Sequence, residues 1–153
     1  LAREFADFVG DLRCMGDPAH VHQTGYQDRV FWLVDGGEYI GQTSIRPQLG
    51  TPYLITYGGH IGYSIRPSRR RRGYGRRILA LALGRCRQLG LDHVLVTCDE
   101  DNTASRRIIE ANGGRYESAM AMDAAVRRAE GRAGDGEVRK LRFWIDLPAR
   151  RAP

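Results

Sequence analysis

The chain has 153 residues, 42% hydrophobic and 27% charged, with a formal net charge of +6 at pH 7. These values describe a single ordinary globular domain over residues 1–153, large enough to bury a core. No apolar run approaches the roughly 18 residues of a membrane span, and no hydrophobic leader opens the sequence.

The basic residues are arginines except for Lys140, and Cys14, Cys86 and Cys98 are widely spaced with no CxxC pair. That usage argues against a disulfide framework or a zinc site, so no metal is expected, and for a reducing, cytoplasmic compartment. The arginine surplus fits either a polyanionic partner or solvated faces, and only its location decides between them. The chain begins at Leu1, not at Met, so an upstream segment is expected to be missing.

In chain order, apolar Phe5, Phe8, Val9 and Leu12 fall at helical spacing and stop at Gly16. "DRVFWLVDGGEYIGQTSIR" reads as a hairpin turning at Asp35-Gly36-Gly37. "GTPYLITYGG" reads as an irregular connection, and "HIGYSIRP" as a third strand stopped by Pro67. A helix is expected from about Gly75 to Leu89, with Ile78, Leu79, Ala82, Leu83 and Cys86 on one side. "DHVLVTC" is a continuous apolar run, the pattern of a strand buried on both faces. "DNTASRRIIEANGG" reads as a short helix, and "RYESAMAM" and "VRKLRFWIDL" as closing strands around a polar, glycine-rich "DAAVRRAEGRAGDGE". Strand–helix–strand–helix in the middle with hairpins around it predicts an α/β (α+β) domain. Its sheet should be mixed, with one parallel pair.

The chemistry concentrates in "RPSRRRRGYGRR", which follows a strand and opens a helix. Free N–H groups and the positive dipole end gather there. Gly73 and Gly75 remove side chains that would hold an anion away, and Arg69 to Arg72 add charge. The stretch is neither a P-loop, which needs GxxxxGK[ST], nor a dinucleotide fingerprint, because Ile78 stands where its third glycine belongs. Two readings remain, a solvated basic patch and a loop suited to a diphosphate, and the strand before it and the helix after it favour the second.

"Arg70-Arg71-Arg72-Gly73-Tyr74-Gly75" resembles the [QR]-x-x-G-x-[GA] acetyl-CoA loop of the GNAT superfamily of N-acetyltransferases. "GGHIGYSIRPS", "VLVTCDEDNTASRRIIEANGG" and "LRFWI" are similar to its branch of bacterial predicted acetyltransferases, over roughly Asp28 to Leu147. The resemblance implies a mostly antiparallel sheet with one parallel pair, helices on both faces, and a first strand and helix absent or partial. It also implies that backbone amides of Arg71, Arg72, Gly73, Gly75 and Arg76 line the pyrophosphate, with Arg70 and Tyr74 completing the motif. Tyr63 to Ile65 would offer backbone groups to the pantetheine arm. Asn102 matches a position that holds that arm, and it is equally a good N-cap.

Acetyl transfer to a primary amine needs a base, and His60 stands where relatives often carry a glutamate. A strand-edge histidine is also a common hydrogen-bonded residue. Tyr57, Tyr63, Asp99 and Glu100 are lesser candidates. The tyrosine that many relatives use to protonate the leaving thiolate falls on Ile109, so Tyr116 or water would serve instead. Cys98, Trp32, Phe143 and Trp144 read as core or pocket wall.

The leading expectation is an acetyl-CoA-dependent N-acetyltransferase acting on a small-molecule or peptide amine, with homodimerisation open. One alternative is a catalytically impaired CoA-binding sensor. The other is an arginine-rich nucleic-acid-binding module, disfavoured because many arginines have acidic neighbours. The acceptor should lie between "GTPYLITYGG" and "AAVRRAEGRAGDGE".

Overall fold

The computed structural model describes residues 2–20, 25–132 and 136–148. Helix α1 spans Ala2–Met15 and is followed by the hairpin of β1, Arg29–Asp35, and β2, Glu38–Ile45. Strand β3 spans Ile61–Ile65, α2 Tyr74–Gln88, β4 His93–Asp99 and α3 Thr103–Ala111. Strand β5 (Arg115–Ala121), the short α4 (Ala124–Ala129) and β6 (Arg139–Asp146) close the order. Part of the expected polar connection after α4, residues 133–135, lies outside the described residues.

The six strands form one sheet in the order β1-β2-β3-β4-β6-β5. The hairpin turns through Gly36 and Gly37, both at positive φ, the backbone that a two-residue turn needs. Among the described strands only β3 and β4 run parallel, joined by the crossover through α2. The mixed, mostly antiparallel sheet is therefore as the sequence pattern predicts.

One face of the sheet is covered by α2 and α3. Leu79, Ala82, Cys86 and Ile109 pack there against Ile45, Val96 and Phe143, all of them buried. Helix α1 lies on the other face, where Phe8 meets Trp32, Tyr39 and Gln42. Strand β4 buries Val94, Leu95 and Val96 completely, as its unbroken apolar run predicts.

One expectation needs correction. The connection "GTPYLITYGG" is not irregular: Leu54–Gly58 form a π-helical turn. It buries Leu54, and Gly59 after it lies against Leu95, which completes the cover on the second face of β4. Of the two readings of Trp32, core or pocket wall, the second holds: it is 46% exposed on edge strand β1 and lines a hollow with Phe8, Tyr39 and Gln42. Phe143, by contrast, is wholly buried.

Candidate functional site

Strands β3 and β4 meet at a single register pair, Ile61 with Val96, and then part. Strand β3 stays paired with β2 through Ile65, and β4 stays paired with β6 through Asp99. The facing edges beyond Ile61 and Val96 are left without a partner strand. A cleft of about 250 Å³ opens between them, lined by Tyr57, Tyr63, Thr97, Cys98, Asp99 and Ser105 among others. Main-chain polar groups need partners, so two strand edges spread apart are a place for an extended ligand to pair.

The arginine–glycine loop lies where β3 gives way to α2. Helix α2 starts after Gly73 with no side-chain cap and no acidic residue in its first turn. Helices α3 and α4 differ: Asn102 accepts from Ser105 N–H at 3.0 Å, and Asp123 accepts from Ala125 N–H at 2.7 Å. The first amides of α2 thus keep their donors for something else.

Arg71 (φ 59°) and Gly73 (φ 79°) are both left-handed, which turns successive amides toward one point. A Cβ built on Gly73 meets no atom within 4 Å, so the space beside this residue is open. The residues present therefore fit a diphosphate.

The side chains around the loop modify the sequence reading. Arg66 and Arg69 both pair with Glu38, and Arg70 Nε donates to the Ile65 carbonyl at 3.0 Å, closing the turn. Arg71, Arg72 and Arg76 are exposed, and Tyr74 Oη donates to Asp35 at 2.7 Å. Gly75 does not clear space for an anion: a Cβ there would sit 2.6 Å from Ile108 Cδ1, so this glycine lets α3 pack against α2. Asn102 caps α3, the second of its two readings, and its side of the helix start also lines the cleft.

His60 is placed differently from its expected role as base. Its Nδ1 accepts the Leu95 amide at 2.9 Å, while its own amide donates to the Leu95 carbonyl at 2.8 Å. A backbone N–H can only donate, so Nδ1 is unprotonated and its lone pair is occupied. Burial, with His93 nearby, pulls the imidazole down to about 4. His60 clasps β3 to β4 at the closed end of the splay and does not line the cleft. The neutral ring is favoured when folded, so its contribution to stability is complete above the unfolded pKa of about 6.5 and lost as pH falls to about 4. Melting curves between pH 7 and 4 should show this fall, and His60→Asn, whose Oδ1 can still accept from Leu95, should flatten it. An equal slope in the variant would contradict the clasp.

Tyr116, the expected acid, lies on edge strand β5, stacked edge-on to Phe143 at 5.7 Å and 56% exposed. Two strands separate it from the cleft. Ile109 is wholly buried in the core. Neither reaches a ligand between β3 and β4.

The reading from sequence missed Ser105. Tyr63 Oη and Ser105 Oγ share a hydrogen bond of 2.8 Å across the cleft, and burial pushes the phenol up to about 12. Forty-two residues separate the two; what joins them is the first turn of α3 facing β3. At the other end Asp99 pairs with Lys140 Nζ (2.8 Å) and Arg132 Nη2 (3.0 Å). Burial raises Asp99, but the hydrogen bonds from Lys140 and Arg132 outweigh it and hold the carboxyl below its usual range. Cys98 is buried, and desolvation pushes its thiol up to about 11, so it is packing rather than a nucleophile.

A splayed parallel pair beside an uncapped helix start defines a class of protein that takes an extended ligand carrying a diphosphate. The sequence model of the acetyltransferase (GNAT) domain matches residues 8–115, and the chain belongs to that family. The search of curated proteins finds no match. Among solved structures, the chain is similar to a Salmonella typhimurium protein assigned as an acetyltransferase and determined with its cofactor acetyl-CoA. Identity is 17%, coverage 88% of this chain and 72% of that one, and the TM-score 0.60. It is also similar to the ribosomal-protein-alanine N-acetyltransferase of Brucella melitensis (14% identity, 84% and 74% covered, TM-score 0.59). A spermidine N-acetyltransferase chimera from Vibrio cholerae gives 18% identity, 84% and 71% coverage and a TM-score of 0.61. These likenesses establish the fold. Among the described residues no helix is long and apolar enough to cross a membrane, and no cluster of three metal-binding side chains occurs.

Proposed function

We propose that the protein is an acetyl-CoA-dependent N-acetyltransferase that moves an acetyl group onto a primary amine. The observation that carries this is the parting of β3 from β4 after the Ile61–Val96 pair, directly beside the uncapped start of α2. The coenzyme supplies an activated thioester. Amides of Gly73 to Arg76 receive its diphosphate, with Arg71, Arg72 and Arg76 screening the charge. The unpartnered edge of β3 from Gly62 to Ile65 pairs with the pantetheine arm. Asn102 borders that arm from the opposite side.

An alkyl amine of pKa about 10 costs about 4 kcal/mol to present neutral at pH 7. Neither His60 nor Tyr116 is placed to lower that cost. Amides on the splayed edge of β3 polarise the thioester carbonyl, and water in the polar cleft accepts the amine proton. The Tyr63–Ser105 hydroxyl pair donates to the departing thiolate.

Two measurements test this. Release of free thiol from acetyl-CoA should depend on an added amine. Tyr63→Phe should lower kcat about tenfold while leaving acetyl-CoA affinity within about twofold, because the phenol acts on the leaving group and not on binding. Unchanged kcat would remove Tyr63 from the mechanism, and absence of amine-dependent thiol release across a broad panel would overturn the enzymatic reading in favour of CoA sensing.

A further inference from the structure

The segment after β5 is tied at three places to residues that line the cleft. Tyr57 Oη donates to the Ala121 carbonyl at 3.2 Å, at the end of β5. Tyr53 Oη donates to Glu130 Oε1 at 2.5 Å. Arg132 reaches deepest, with Nε on Glu130 Oε2 at 2.7 Å and Nη2 on Asp99 Oδ2 at 3.0 Å. Tyr53, Tyr57 and Asp99 all line the cleft, so each tie ends on, or beside, the cavity assigned above to transfer.

Arg132 is the unusual member. It contacts two carboxylates, Glu130 on its own segment and Asp99 in the lining of the cleft, and it is about two-thirds buried there. Asp99, Glu130, Lys140 and Arg132 sum to zero charge, two negative and two positive. Withdrawing Arg132 leaves the seat with one net negative charge, which a single cation restores. An anionic group entering instead would double the imbalance in a partly desolvated place.

We propose that residues 123–132 form a strap over the acceptor end of the cleft, and that the Arg132 guanidinium is its latch, seated where a cationic group of the acceptor binds in exchange. This rests on the acetyltransferase reading and extends it to the acceptor's class: an amine that carries a second positive charge beside the nucleophile. The strap opens when that charge replaces Arg132 on Asp99 and Glu130, so acceptor entry and release of the latch are one event. The net basic composition of the chain, which by itself favours a neutral or acidic acceptor, does not describe this local seat.

The test uses three amines of one length, putrescine, 4-aminobutanol and 4-aminobutyrate, with the full chain and the variants Arg132→Ala and Glu130→Gln. Thermal melts with acetyl-CoA alone run in parallel for every protein. Wild type should favour putrescine over the other two by about tenfold in kcat/KM, the effect of one charge-assisted contact. Arg132→Ala should lower KM for putrescine, and putrescine alone should raise its melting temperature more than it raises that of wild type. Glu130→Gln should erase the preference. Equal use of the three amines, or an unchanged putrescine KM together with no added stabilisation in Arg132→Ala, overturns the latch. If acetyl-CoA still stabilises every protein in that case, only the acceptor proposal has failed. If acetyl-CoA stabilises none, the coenzyme reading has failed independently of any amine.

Discussion

Replacing Gly73 with leucine should abolish stabilisation by acetyl-CoA, whereas replacing it with alanine should weaken that stabilisation only in part. In wild type, coenzyme at a hundred times its Kd adds about 2.7 kcal/mol to the folded state. For a chain of this size that raises the melting temperature by roughly 5–11 °C. Gly73 has φ 79°, so any side chain there costs about 1–2 kcal/mol of backbone strain, and alanine and leucine share that cost. They differ in what they place in front of the α2 amides. The space over Gly73 is empty to 4 Å, so a leucine side chain fits there and, on the proposed placement of the diphosphate, competes with it. Calorimetric melts with and without acetyl-CoA separate the two contributions. Full retention of the shift in Gly73→Leu would show that the diphosphate binds elsewhere.

Gly59→Ala should be strongly destabilising, by about 3 kcal/mol or more, from strain of about 1–3 kcal/mol plus overlap of similar size. Gly59 has φ 69° and ψ −173°, a region that glycine alone occupies readily. A Cβ there would lie 2.6 Å from the Leu95 carbonyl oxygen. That carbonyl accepts the His60 amide, so it cannot retreat without breaking the clasp that joins β3 to β4. Urea unfolding should show the loss directly, with the midpoint falling and the slope unchanged. A loss below about 1 kcal/mol would mean that the strands move apart at little cost. The closed end of the splay would then not be rigid.

These two glycines mark the boundary between what the sequence shows and what only the fold shows. Gly73 is readable in advance because its signal is local: an arginine-rich stretch between a strand ended by Pro67 and the apolar spacing of α2. The hairpin at Gly36-Gly37 and the doubly buried β4 are readable for the same reason, since turn chemistry and periodicity act over a few residues. Gly59 and Gly75 look alike in the sequence and differ entirely in space. One lies against the β4 backbone and the other beneath Ile108.

Distance along the chain explains the remaining differences. His60 resembles a catalytic histidine until Leu95, 35 residues later, supplies the amide that occupies its ring nitrogen. Ser105 enters the site only because the start of α3 faces Tyr63 across the gap. Trp32 reads as core or pocket wall by its chemistry, and what decides for the wall is that its strand is at the sheet edge in the described residues and the alternation of side chains turns it outward. Tyr53 and Glu130 lie 77 residues apart, and no local pattern announces the hydrogen bond between them.

The most direct test of the central claim is a crystal structure of the protein grown with acetyl-CoA. The diphosphate should sit on the amides of Gly73 to Arg76, and the pantetheine arm should run between β3 and β4 from the α2 start toward Asp99. Coenzyme bound outside that gap, or strands β3 and β4 zipped together beyond Ile61 and Val96 with coenzyme present, would contradict it.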